Sequence, residues 1–143
     1  MANLKISYYP GFKYGNCALL AIAYAFGLKL ELLYHTCNSH KIPYKRGMTD
    51  INIHKLINIL LNFSQFTVKK DIVSNKLSFR EIYLKLPKNK IYIFAIKDHL
   101  FTVKNGIIAD SYLYKYSEKI KFQPIYYYYT LQENLIFTKK IIL

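Results

Sequence analysis

The stretch YGNCALLAIAYAFG, Tyr14 to Gly27, places one of the two cysteines of the chain at the front of an almost wholly apolar run. Asn16 is a typical helix N-cap, and Gly27 fits the position just after a helix. Because the residues between them are apolar on every face, the stretch predicts a buried helix over Ala18 to Phe26. Cys17 is then either a core thiol or a nucleophile at a helix start.

The bulk composition predicts one globular domain over residues 1–143, which is long enough to bury a core. The longest apolar run is interrupted by Gly27, Lys29 and Glu31, and this argues against a transmembrane helix. The first residues contain no apolar segment typical of a secretory signal. We therefore expect a cytoplasmic protein without a membrane partner, while the oligomeric state stays open.

The net charge of +13 is compatible with an acidic peptide, an acidic protein or a nucleic acid as partner. The basic residues are scattered along the chain rather than clustered. The chain is also rich in Ile, Asn and Tyr, which A/T-rich codons encode, so compositional drift accounts for much of the bias. Nucleic-acid binding is therefore a possible function that the sequence does not favour.

Helix signals dominate the first half of the chain. After the Cys17 helix, residues 28–39 are predicted to form a second helix, and Thr49 to cap a third whose apolar residues follow i, i+3, i+4, i+7 spacing. Ser78 and Glu81 form a capping box for a short fourth helix. After Pro87 the chain changes to short β-branched and aromatic runs. This separation predicts an α+β fold, with N-terminal helices packed on a C-terminal antiparallel sheet.

Two of the later runs, HLFTVKN and GIIADSY, meet at Asn105-Gly106, a strong signal for a two-residue hairpin. In that register Thr102 lies opposite Ala109. His99 and Asp110 then lie near the same end of neighbouring strands, within reach of each other.

A cysteine, a histidine and an aspartate in these positions match the needs of a cysteine hydrolase. The helix N-terminus and the His99 imidazolium both favour a Cys17 thiolate, and His99 then protonates the leaving group. Asp110 orients the imidazole. The oxyanion is met by the Cys17 backbone N–H and one side-chain donor, for which Asn16 and Tyr14 are the candidates.

GNCALLAIAYAFG resembles the cysteine motif of small papain-like cysteine peptidases of bacteriophages and bacteria. RGMT at 46–49 is similar to the Gly-Thr step of that family, and residues 77–112 resemble its later block of helix, strand, histidine and hairpin. The resemblance implies a papain-like fold with a triad of Cys17, His99 and Asp110. The chain differs from the family at Gly11, where a Gln is usual, and at Asp98, where a Gly is common.

What the resemblance implies is cleavage of a peptide or isopeptide bond through a thioester, without a cofactor. It also implies a phage origin, and hence the host cytoplasm or the virion as the site of action. The alternatives are an acyl transferase with the same triad, and an inactive scaffold that binds a host protein, a virion protein or nucleic acid.

Two other groups of residues have simpler interpretations. Cys37 lies near His35 and His40, but the paired spacing of a zinc site is missing, so we expect no metal. The run Tyr126 to Tyr129 is more consistent with packing on both faces of a strand than with a base-stacking surface.

Overall fold

The apolar run after Cys17 forms helix α1, Cys17–Phe26, in a computed structural model that describes residues 5–7, 17–45, 47–62, 64–109 and 122–133. Every α1 residue from Ala18 to Phe26 is buried except Tyr24, which confirms the predicted core helix. Gly27 follows with a left-handed φ of +67° and ends the helix, as predicted. The predicted N-cap, Asn16, lies outside the described residues.

Nine further elements are described. The helices are α2 (Leu30–Ser39), α3 (Asp50–Leu61) and α4 (Phe79–Tyr83), and the strands are β1 (Lys5–Ser7), β2 (Phe66–Ile72), β3 (Ile91–Ile96), β4 (His99–Lys104), β5 (Ile107–Ala109) and β6 (Tyr127–Glu133). All four helices and the hairpin strands occur where the sequence predicts them. In the described part of the chain, no single helix has the length and hydropathy to cross a membrane; α1 and α2 pass that test only as a pair bent by 113°.

The strands form one sheet in the order β1-β5-β4-β3-β6-β2. Every neighbouring pair is antiparallel except β1 and β5, which are parallel, so the α+β prediction is confirmed with one parallel edge strand added. Thr102 pairs with Ala109 and Lys104 with Ile107, as the Asn105-Gly106 turn predicts. Asn105 and Gly106 both have positive φ, at 54° and 75°, which the tight turn requires.

The sheet is covered on both faces. On one face, α1, α2 and α3 pack against alternate strand residues, including Tyr127 and Tyr129. On the other face, α4 contributes Phe79, which packs against Phe94 and Phe101, and Tyr128 lies against this second cluster. The packing role predicted for the tyrosine run is therefore confirmed for Tyr127, Tyr128 and Tyr129, while Tyr126 is exposed. Helix α4 covers the face opposite the other three helices, a point on which the sequence makes no prediction.

The capping box predicted at Ser78 is present in full. The Ser78 hydroxyl accepts from the Glu81 N–H at 3.2 Å, and the Glu81 carboxylate accepts from the Ser78 N–H at 3.2 Å. Because this cap begins the helix that closes the second cluster, we expect Ser78→Ala to lower the free energy of unfolding by about 1 kcal/mol. Urea denaturation measures this. Ser74→Ala, at an exposed serine in the preceding loop, is the control, with an expected change within about 0.5 kcal/mol; an equal effect of both variants would contradict the assignment.

Candidate active site

The candidate nucleophile and its histidine come from the starts of two packed elements. Cys17 is the first residue of α1 and is partly exposed, while His99 is the first residue of β4 and is 7% exposed. The His99 ring stacks on Phe101 with ring centroids 6.3 Å apart, and its side chain hydrogen-bonds to Cys17. The structure therefore brings together two of the three predicted triad residues.

The turn before His99 fixes where strand β4 begins. Lys97 and Asp98 join β3 to β4, and Ile96 pairs with His99 across the turn. Asp98 has a left-handed φ of 55°, a conformation that glycine adopts freely and that aspartate tolerates better than most residues. Asp98 thus supplies the left-handed residue of this two-residue turn, and His99 begins β4 directly after it.

The ionisation of Cys17 is set by opposing influences. Burial raises the pKa of the Cys17 thiol, but the hydrogen bond and the charge of His99 lower it, and so do the backbone N–H groups of Leu100 and Ala18. The lowering influences win, and the pKa lies below its ordinary value of 9.0. The thiolate, which is the reactive form of cysteine, is accordingly favoured at this position.

Cys37 serves as an internal comparison. It lies on α2 and is fully buried, and burial raises the pKa of its thiol to about 11. Such a thiol is ionised only to about one part in ten thousand at pH 7. The chain therefore contains one inert core cysteine and one activated cysteine, and they differ in that only Cys17 contacts a histidine strongly enough to lower its pKa.

Cys17 and His99 open onto a cleft of about 600 Å³. Its other walls come from the loop before α3, the β3–β4 turn and the start of β6, and they include Gly47, Met48, Asp50, Lys97, Asp98 and Tyr127. Among the residues that the structure describes, two carboxylates and one ammonium line the cleft, although the chain as a whole is strongly basic. The charge of these described residues does not favour an acidic substrate.

The Asp50 side chain is fixed by a contact that the sequence did not reveal. The Tyr127 hydroxyl donates to the Asp50 carboxylate at 2.7 Å. Burial and this hydrogen bond raise the pKa of Tyr127, so the phenol stays protonated and remains a donor. The only signal in the sequence is the helix-capping Thr49 beside Asp50, which says nothing about a strand tyrosine far along the chain.

The structure does not describe the other predicted site residues. Asp110 and the two oxyanion candidates, Asn16 and Tyr14, lie outside the described residues, as does Gly11. In the described ranges no group of three or more His, Cys, Asp or Glu side chains could hold a metal ion.

Comparison with known proteins finds no family model, no curated protein and no solved structure that matches this chain.

Proposed function

We propose that this protein is a cysteine hydrolase that cleaves a peptide or isopeptide bond through a thioester on Cys17. The observation that carries the proposal is the Cys17–His99 hydrogen bond beside the cleft, which lowers the pKa of the Cys17 thiol against the effect of burial. Cys37 experiences burial without such a partner, and its pKa rises to about 11. Perturbed thiols of this kind, facing a cleft, are typical of catalytic cysteines.

The first half of the reaction forms the thioester. The Cys17 thiolate attacks the carbonyl carbon, a C–S bond forms, and the carbonyl π electrons move to the oxygen. The Cys17 N–H is in the first turn of α1 and has no acceptor within the helix, so it is a suitable donor to the oxyanion. The oxyanion then collapses, the C–N bond breaks, and the His99 imidazolium gives its proton to the departing amine.

The second half releases the acid. His99, now neutral, takes a proton from a water molecule as the water oxygen attacks the thioester carbon. The C–S bond breaks, the carboxylic acid leaves, and Cys17 regains its thiolate beside a protonated His99. This sequence requires no metal or redox partner. An acceptor amine in place of water would make the same site an acyl transferase.

The finer fold assignment is part of this proposal. A nucleophile at the start of a buried helix and a histidine at the start of a sheet strand correspond to the papain-like arrangement, with Cys before His along the chain. In that arrangement Asp110, one residue after β5, orients His99. This role stays a prediction, because Asp110 lies outside the described residues.

Removal of the nucleophile tests the proposal. We expect Cys17→Ala to lower hydrolysis by about a thousandfold or more, since no thioester forms without the sulfur. The substrates are fluorogenic peptides together with lysine-linked isopeptides, and mass spectrometry of the products separates hydrolysis from acyl transfer. Cys37→Ala, which removes the other thiol, is expected to keep the activity.

A thiol probe makes the test independent of the unknown substrate. We expect a peptide vinyl sulfone to label Cys17 at neutral pH and to leave Cys37 unlabelled. Equal or slower labelling of Cys17 would refute the proposed hydrolase activity and favour an inactive scaffold. In that case a salt-dependent affinity for nucleic acid would support the alternative of a basic binding protein.

A further inference from the structure

Helix α1 and strand β4 are joined by a series of polar contacts in register. The two elements run in the same direction, and the Leu100 N–H donates to the Cys17 sulfur at the first contact. The Thr102 hydroxyl donates to the Ala21 carbonyl at 2.7 Å at the second. The Lys104 ammonium donates to the Tyr24 carbonyl at 3.3 Å at the third.

The spacing of these contacts follows from the geometry of the two elements. Leu100, Thr102 and Lys104 alternate along β4 and lie on one face of the sheet. Two strand residues advance about 6.6 Å, and the four residues from Cys17 to Ala21 advance about 6 Å along the helix. The three residues from Ala21 to Tyr24 advance only about 4.5 Å, and the long Lys104 side chain spans the difference.

Thr102 is the least expected of these residues. It is fully buried, at 0% exposure, within an otherwise apolar part of β4 and against an apolar helix. Valine has the same shape and would be favoured there, because a buried hydroxyl is costly unless it is hydrogen-bonded. The hydroxyl meets that need with one specific carbonyl of α1, one helical turn from Cys17.

We propose that Thr102 is a positioning residue, whose hydroxyl fixes the register of α1 on β4 and thereby holds Cys17 beside His99. The apolar contacts between the two elements are non-directional and tolerate a shift of the helix. A shift by one residue moves α1 by about 1.5 Å and turns it by about 100°, which carries the sulfur away from the imidazole. The hydrogen bond to Ala21 distinguishes the correct register from its neighbours. This role rests on the proposed function of the Cys17–His99 pair.

The pH dependence of Cys17 alkylation by iodoacetamide tests this role, since it reads the Cys17–His99 contact and needs no substrate. In Thr102→Val we expect the midpoint to rise by about one pH unit, so that alkylation below the midpoint slows about tenfold. Thr102→Ser retains the hydroxyl and is expected to keep the wild-type midpoint. Thr67→Val, on distant β2, removes a hydroxyl that donates to the Gln132 carbonyl of β6, and it controls for the loss of a threonine hydroxyl away from α1.

The outcomes separate this proposal from the function on which it rests. A folded Thr102→Val with the wild-type midpoint would overturn the positioning role and leave the hydrolase intact. A wild-type midpoint at or above 9.0 would refute the activated Cys17 itself. If Thr102→Val does not fold, Thr102→Ala removes the same hydroxyl with a smaller side chain; we expect an upward shift of the midpoint, and an unchanged midpoint would overturn the proposal.

Discussion

Replacement of His99 by phenylalanine is expected to raise the pKa of the Cys17 thiol above its ordinary value. Phenylalanine keeps the ring and most of the burial but removes the hydrogen bond and the charge. Burial is the largest single influence on Cys17 and raises the pKa, and only the Leu100 and Ala18 amides remain to oppose it. At pH 7, alkylation of Cys17 by iodoacetamide should slow by about tenfold or more, since each pKa unit changes the thiolate fraction tenfold.

The control is the same substitution at His40, an exposed histidine just after α2. His40→Phe should leave the alkylation rate of Cys17 unchanged, as measured by mass spectrometry of the cysteine peptides. Provided that both proteins are folded, equal alkylation rates of Cys17 in His99→Phe and the wild type would contradict a Cys17–His99 pair.

The second large effect is on stability and concerns Phe79. This side chain is fully buried, and its ring lies 5.0 Å from Phe94 and 5.3 Å from both Phe101 and Tyr83, centroid to centroid. Phe79→Ala leaves a large void among these rings, and we expect a loss of about 3–5 kcal/mol in the free energy of unfolding. Chemical denaturation followed by circular dichroism measures it.

Phe122→Ala is the matched control, because it removes the same side chain at a position that is 65% exposed. Its expected effect is within about 0.5 kcal/mol. Similar losses for the two variants would contradict the assignment of Phe79 to the core of the second cluster. Since the His99 ring stacks on Phe101, the alkylation rate of Cys17 in a folded Phe79→Ala protein also shows whether this cluster supports the Cys17–His99 contact.

The elements that the sequence predicts well carry local signals. The capping contacts of α3 and α4 involve residues three positions apart, and each is present. The Asn105-Gly106 turn determines its hairpin register because both residues readily adopt the positive φ that the two-residue turn requires. Residue-level patterns of this kind were sufficient for the α+β class and for the placement of Cys17 and His99 at the starts of their elements.

Other features depend on partners that are distant in sequence. The parallel pairing of β1 with β5 joins residues about a hundred positions apart, and a three-residue strand has too little pattern to specify it. A short amphipathic helix such as α4 shows that it has a buried side but not which face of the sheet it covers. The Tyr127–Asp50 and Thr102–Ala21 contacts likewise exist only once α1, α3 and the sheet are packed.

The residues of the candidate site also differ in whether local sequence signals or distant contacts reveal them. Cys17 could be recognised from its place before an apolar run, and His99 from its place beside a hairpin. Thr102 is visible in the sequence as a hydroxyl residue in an apolar strand. Its acceptor, the Ala21 carbonyl, cannot be predicted, because it depends on the register of α1 against β4. Polar residues in the middle of buried strands therefore merit the same scrutiny as candidate catalytic residues.

Carbon NMR of protein labelled at the cysteine Cβ atoms measures whether the pKa of the Cys17 thiol is lowered. The two cysteines give two signals whose shifts report thiol ionisation. We expect the Cys17 signal to titrate with a midpoint below 9.0 and the Cys37 signal to titrate with a midpoint of about 11. The Cys17 signal is assigned by its loss in Cys17→Ser. A Cys17 midpoint at or above 9.0 would contradict the activation of Cys17 by His99.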